Sequence, residues 1–201
     1  MALKVVMKTR ELWNKYYSDE RYTTYMDVGL FMVLLFGFHF IFLLWHHFGY
    51  YPIGGAIAAL QDSSSALLYR QTDWCLTNIF NMHYWLDLPN QGFLAYDKSG
   101  GVLALAVAPI CSSLKQWCHW LFLMLIFPGP WKHKAWYIPV GLVVIELVNV
   151  VRVVGIYLCM YYFPGSFEIA HNYIFKFFFY FVIFLMWVLW VEKFVHTKSE
   201  R

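Results

Sequence analysis

The chain has 201 residues, 61% of them hydrophobic and 22% aromatic, and only 13% charged, against roughly 25% charged in ordinary soluble domains. That composition excludes a water-solvated globule and a disordered tail alike, and a formal net charge of +3 scattered over the chain excludes a nucleic-acid-binding stripe. Four cysteines without framework spacing exclude a disulfide scaffold.

A bilayer core about 30 Å thick needs about 20 apolar residues per helix. Four stretches meet or approach this, and taken in chain order they organise the sequence. Residues 1–27 form a polar N-terminal segment, and Val28–Trp45 is the first expected crossing. Its apolar run exceeds the about 7–15 residues of a signal-peptide core, so it reads as a retained span. Residues 46–112 form an outer segment. Within it, Ser63–Phe80 follows Asp62, a residue able to cap a helix, and suits an amphipathic interfacial helix. Gly92–Tyr96 and Val102–Val107 flank Asp97-Lys98-Ser99-Gly100-Gly101 and read as a β-hairpin. In Ala108-Pro109-Ile110-Cys111-Ser112-Ser113, Pro ends the strand and Ser can cap the next helix.

The second crossing, Ser113–Phe127, is short and stops at Pro128-Gly129-Pro130. The third is Trp136–Met160 and the fourth Ile169–Val191, leaving a tail at 192–201. The expected fold is an all-α membrane protein, a bundle of four transmembrane helices with an outer amphipathic helix and a short β-hairpin.

Lys and Arg accumulate on cytoplasmic ends. Ten of the fifteen lie in three segments: Lys4, Lys8, Arg10, Lys15 and Arg21; Lys132 and Lys134; and Lys193, Lys198 and Arg201. With four crossings all three segments fall on one side, so both termini are expected in the cytoplasm and residues 46–112 outside.

Ionisable groups inside lipid are expensive and need a reason. Glu146, Asn149 and Arg152 recur at i, i+3 and i+6 of the third span and share one side of that helix. This face must turn away from lipid. On the expected topology Arg152 lies in the outer leaflet, His171 enters there at the head of the fourth span, and Cys111 sits at the outer mouth of the second. A thiol, a guanidinium and an imidazole from three segments therefore approach one membrane face. Together they suit acyl transfer. The helix dipole and Lys115 favour a Cys111 thiolate, His171 can carry the proton, and Arg152, with Asn149 beside it, can hold an oxyanion.

Cys111-Ser112-Ser113, Asn149-Val150-Val151-Arg152 and His171, in this order over about residues 90–191, resemble the exosortase/archaeosortase family, and the compact length resembles its short bacterial members. Ser113 stands where that family usually has Gly. The resemblance implies a membrane-embedded cysteine protease-transpeptidase of the bacterial cytoplasmic membrane, with its active site on the periplasmic face. Its substrates would be exported proteins ending in a short motif, a membrane helix and a basic tail, and a lipid-linked group could serve as acceptor. It assigns Cys111 as nucleophile, Arg152 as transition-state stabiliser and His171 as acid/base. Ser112, Ser113, Lys115, Glu146 and Asn149 are expected around them from their places in the sequence. Neither the chemistry nor the sequence calls for a metal or cofactor, since no Cys-x-x-Cys pair occurs.

Three other readings compete. A membrane acyltransferase would use the same Cys111. A haem-binding redox subunit would use His39 and His119, which both fall in the outer half of their spans. A non-catalytic assembly factor would need none of these residues. Cys75 and Cys159, both near the outer side, could pair in an oxidising compartment.

Overall fold

The computed structural model describes residues 20–87 and 90–195. Most of the two terminal segments, with Lys4, Lys8, Arg10, Lys15, Lys198 and Arg201, lies outside the described residues. Two compact units result, one up to Leu44 and one from Trp45 onward. The described part of the first belongs to helix α1, Glu20–His47, as far as Leu44.

In the second unit α2 runs Gly54–Asn78, longer than the helix expected at Ser63–Phe80. Asp62 is interior to α2 and caps nothing. The Ala56-Ile57-Ala58-Ala59-Leu60 run carries helix propensity back to the glycines. The serines after Asp62 bond backwards within the helix: Ser63 Oγ donates to the Ala59 carbonyl and Ser65 Oγ to that of Asp62.

The hairpin is present, as β2 (Gly92–Tyr96) and β3 (Val102–Ala106), and a further strand, β1 (Trp85–Asp87), pairs with β2 on its other side. All pairings are antiparallel, in the order β1-β2-β3. Alternation sets the faces. Phe93, Ala95, Leu103 and Leu105 are buried, while Leu94, Tyr96, Val102 and Ala104 are exposed. Asp97 closes the turn, its Oδ1 accepting from Ser99 N–H, Ser99 Oγ–H and Gly101 N–H. Gly100 takes φ +87°, a conformation that favours glycine.

After β3 a single 3-10 turn, Pro109–Cys111, leads to α3, Leu114–Ile126. Pro130 then precedes α4, Trp131–Tyr162, and a short turn leads to α5, Phe167–Val195. Among the described residues three helices are long and apolar enough to cross a membrane: α1 over Tyr25–His47, α4 and α5. Of the four expected crossings, the one at Ser113–Phe127 is not among them. Its helix has 13 residues, about 20 Å at 1.5 Å each, well short of a bilayer core. Helix α3 packs on α4 and ends where Lys134 Nζ donates to the Phe127 carbonyl at 2.6 Å, satisfying a carbonyl at its C-terminus. Lys134 is thus a buried cap inside the first turn of α4 and not part of a loop.

The inner face of the sheet joins Leu68, Tyr69 and Leu76 of α2 and Val150, Val153, Val154 and Tyr157 of α4 in one core. Lys98 N–H donates to the Tyr161 carbonyl, which ties the hairpin tip to the far end of α4. Cys75 and Cys159 pack as separate half-buried thiols against this core, and no disulfide joins them.

Candidate active site

Helix α4 sorts its residues by face. Val143, Leu147 and Val151 are exposed at four-residue spacing, whereas Glu146 and Asn149 are buried. The polar face expected from the sequence does turn inward.

Asn149, 1% exposed, donates from Nδ2 to the Cys111 carbonyl and to Ser113 Oγ, both at 2.9 Å. Ser113 stands at the start of α3, but its hydroxyl makes no capping bond there. Asn149 takes it instead. The turn that carries Cys111 is thereby anchored to α4 from its carbonyl side. Cys111 lies before α3, in the turn, with its own N–H donating to Ala108. It is therefore outside the first turn of α3, where the helix dipole acts most strongly.

Arg152 projects from α4 toward the head of α5. Its Nη2 lies 2.9 Å from His171 Nε2, and its Nη1 makes a long contact of 3.5 Å with Asn149 Oδ1. The Arg152 Nε–H is buried without a partner among the described residues. A guanidinium only donates, so Nε2 is the acceptor and the ring proton sits on Nδ1, 3.1 Å from Asn172 Oδ1. His171 also stacks on Phe167, with ring centroids 5.3 Å apart.

The backbone at this point is wide. Residues Ala170–Ile174 form a π-helical turn in which Phe175 N–H bonds back to the Ala170 carbonyl. Such insertions occur often at functional sites. The Phe175 ring lies over Gly155 of α4, where a Cβ would collide with it. The missing side chain lets α5 approach α4 closely at the level where Arg152 meets His171.

Cys111, Arg152 and His171 line one cavity of about 50 Å³, together with Leu105, Ala106 and Val107 of β3 and the following residue, and with Phe167. Cys111 lies within electrostatic reach of Arg152, as does Tyr180 of α5. Three of the expected site residues thus meet in space, with Asn149 and Ser113 behind them and buried Ser112 beside them. Lys115 does not line the cavity and lies near Lys176 of α5. Glu146 does not line the cavity; it lines a neighbouring groove with Gln71 and Trp117 and lies within reach of the Ser113 hydroxyl.

Asn172, Phe167, Gly155, Phe175 and Tyr180 were not expected from the sequence. The adjacency of Asn172 to His171 was a usable signal, but nothing local marks the other four. His39 and His119, the alternative haem pair, belong to separate units, and His119 Nδ1 donates to the Lys115 carbonyl at 2.7 Å. Among the described residues no three His, Cys, Asp or Glu side chains cluster to hold a metal.

No family model, curated protein or solved structure matches this chain.

Proposed function

We propose that this protein is a membrane-embedded thiol peptidase/transpeptidase of the exosortase/archaeosortase type, which removes C-terminal sorting signals from exported proteins in the bacterial cytoplasmic membrane. The observation that carries the reading is the shared cavity of Cys111, Arg152 and His171, supplied by three separate segments.

The chemistry follows from the groups present. A scissile carbonyl entering the cavity draws the Arg152 donors, including the spare Nε–H, toward its oxygen. This releases His171 Nε2, which takes the Cys111 proton. Sulfur attacks the carbonyl carbon, a C–S bond forms, and the oxyanion rests on the guanidinium. His171 returns the proton to the amide nitrogen as the C–N bond breaks, and the amine leaves with the membrane helix and basic tail. An acceptor nucleophile or water then opens the thioester. In that last step His171 takes the proton of the incoming nucleophile and gives it to the Cys111 sulfur as the C–S bond breaks.

In this reading α3 completes a fourth crossing. It runs beside α4 from Asn149 to Lys134, so the turn holding Cys111 lies within the outer headgroup layer over a locally thinned bilayer. Both termini are then cytoplasmic, and the cavity meets a substrate where its C-terminal helix leaves the outer surface.

The test compares C-terminal peptides of membrane and surface proteins by mass spectrometry in cells carrying the wild-type protein or Cys111→Ala at equal abundance. Proteins that keep an apolar helix and basic tail only with Cys111→Ala support the peptidase. Identical profiles sink it. Unchanged protein C-termini with altered thioester-derived lipidation point to the acyltransferase.

A further inference from the structure

Strand β3 is a sheet edge. Its register with β2 pairs Leu103 with Ala95 and Leu105 with Phe93, and the flanking bonds Asp97 N–H to Gly101 O and Val107 N–H to Gln91 O fix which residues exchange hydrogen bonds. They are the odd-numbered ones. The N–H and C=O groups of Val102, Ala104 and Ala106 therefore point to the opposite side. Those three residues are exposed, and their backbone groups have no partner among the described residues.

A free edge is a template for another strand. This one has two features that direct its use. Ala104 and Ala106 are small and exposed, so their own side chains do not obstruct the edge. Its end opens into the cavity, since Leu105, Ala106 and Val107 line it with Cys111, Arg152 and His171.

We propose that β3 binds the extended peptide segment just upstream of the scissile bond as a fourth, parallel strand, and so delivers its carbonyl to Cys111. The inference rests on the peptidase reading and names how that site takes its substrate. Direction follows from the chain path. β3 runs from the hairpin tip, which is tied to the outer end of α4, toward Cys111. A substrate whose C-terminal helix descends into the membrane runs N to C the same way, and only parallel pairing brings its C-terminal end to the thiol. Recognition is then of an extended backbone, through Val102, Ala104 and Ala106, with side-chain selection left to the cavity.

The experiment uses the full chain in membranes and, as reporter, a protein that keeps its tail in cells carrying Cys111→Ala. Ala104→Pro removes the N–H on the open edge and spares every bond to β2, as edge positions allow. Cleavage of the reporter should fall at least about tenfold, the worth of one or two hydrogen bonds, while iodoacetamide still alkylates Cys111 within about twofold of the wild-type rate. In parallel, single cysteines at Val102, Ala104 and Ala106, in a chain with its four native cysteines replaced, are oxidised against cysteines scanned through the reporter. Crosslinks should recur every second reporter residue, and Val102 should reach residues farther upstream than Ala106 does. This scan decides the matter if Ala104→Pro fails to fold. Normal cleavage by Ala104→Pro, crosslinks without the two-residue period, or a reversed order overturns strand pairing alone. If no protein keeps its tail with Cys111→Ala, the peptidase reading falls, and this inference with it.

Discussion

Arg152 and His171 hold each other across two helices, Nη2 to Nε2 at 2.9 Å, and the contact fixes the imidazole as its neutral Nδ1–H tautomer. In the proposed mechanism the resting site thus keeps the imidazole nitrogen that would accept the proton occupied by Arg152. A substrate carbonyl that captures the guanidinium would, in that mechanism, free the imidazole at the same moment, coupling deprotonation of Cys111 to occupancy. This coupling would limit idle reaction of the thiolate with small electrophiles.

Arg152→Lys separates these roles. Lys retains charge but loses the planar fork that reaches both His171 and a substrate oxygen. Reporter processing is expected to fall about 100-fold or more, the worth of one oxyanion donor. Alkylation of Cys111 should not fall in step, because His171 is then unlatched. Equal loss of both, measured on the same membranes, would contradict the latch.

In the proposed mechanism Asn149 positions Cys111 and does not touch substrate. Its Nδ2 holds both the Cys111 carbonyl and Ser113 Oγ. Asn149→Ala leaves two acceptors unmet in a buried setting, at a cost of about 1–3 kcal/mol. The thermal midpoint in detergent should drop, and cleavage should drop further than stability accounts for. Asn149→Gln, which keeps the donors on a longer arm, should recover part of the stability and little of the activity.

How much of this was legible in the sequence depended on whether the signal was local. The Asp97-to-Gly101 turn between two alternating runs marked the hairpin. The i, i+3, i+6 polar series gave the inward face of α4, because helical periodicity alone carries it. Strand β1 escaped because three residues are too few to show alternation. Ser113 was read as a cap because caps are scored along the chain, whereas Asn149 reaches it from 36 residues away. The apolar run of α3 suggests a crossing, but its 13 residues by themselves fall short of a bilayer core, a length that counting Lys and Arg at helix ends does not read. Lys134 was counted there as a loop charge although it caps α3. The π-helical turn at His171 has no sequence signature, since its wide pairing accompanies a tertiary contact between Phe175 and Gly155.

The hairpin turn should respond to acid. Hydrogen bonds from the Ser99 hydroxyl and from the backbone N–H groups of Gly101 and Ser99 hold the Asp97 carboxyl below its ordinary value of 3.8. A carboxylate whose folded value is depressed stabilises the turn above the unfolded value, and the contribution disappears as pH falls through the folded value. Amide exchange at Gly101, normalised to its intrinsic rate, should therefore show protection that is intact at neutral pH and lost only below about pH 4. Asp97→Asn should abolish the pH dependence. A transition near pH 6 would assign it to another group.

Gly155 provides a test that touches none of the reacting groups. A Cβ at this position meets the Phe175 ring, so Gly155→Ala must push α5 away from α4 or displace the ring. Overpacking of this kind costs about 1–3 kcal/mol. A shift of α5 lengthens the 2.9 Å contact between Arg152 and His171, and processing should then fall while Cys111 remains alkylatable. Phe175→Leu in the same chain removes the colliding ring. The double variant should recover activity that Gly155→Ala lost, giving a coupling energy of opposite sign to the single-site cost in a double-mutant cycle. Additive losses would mean that Gly155 serves only helix packing and that the approach of α5 does not set the Arg152–His171 pair.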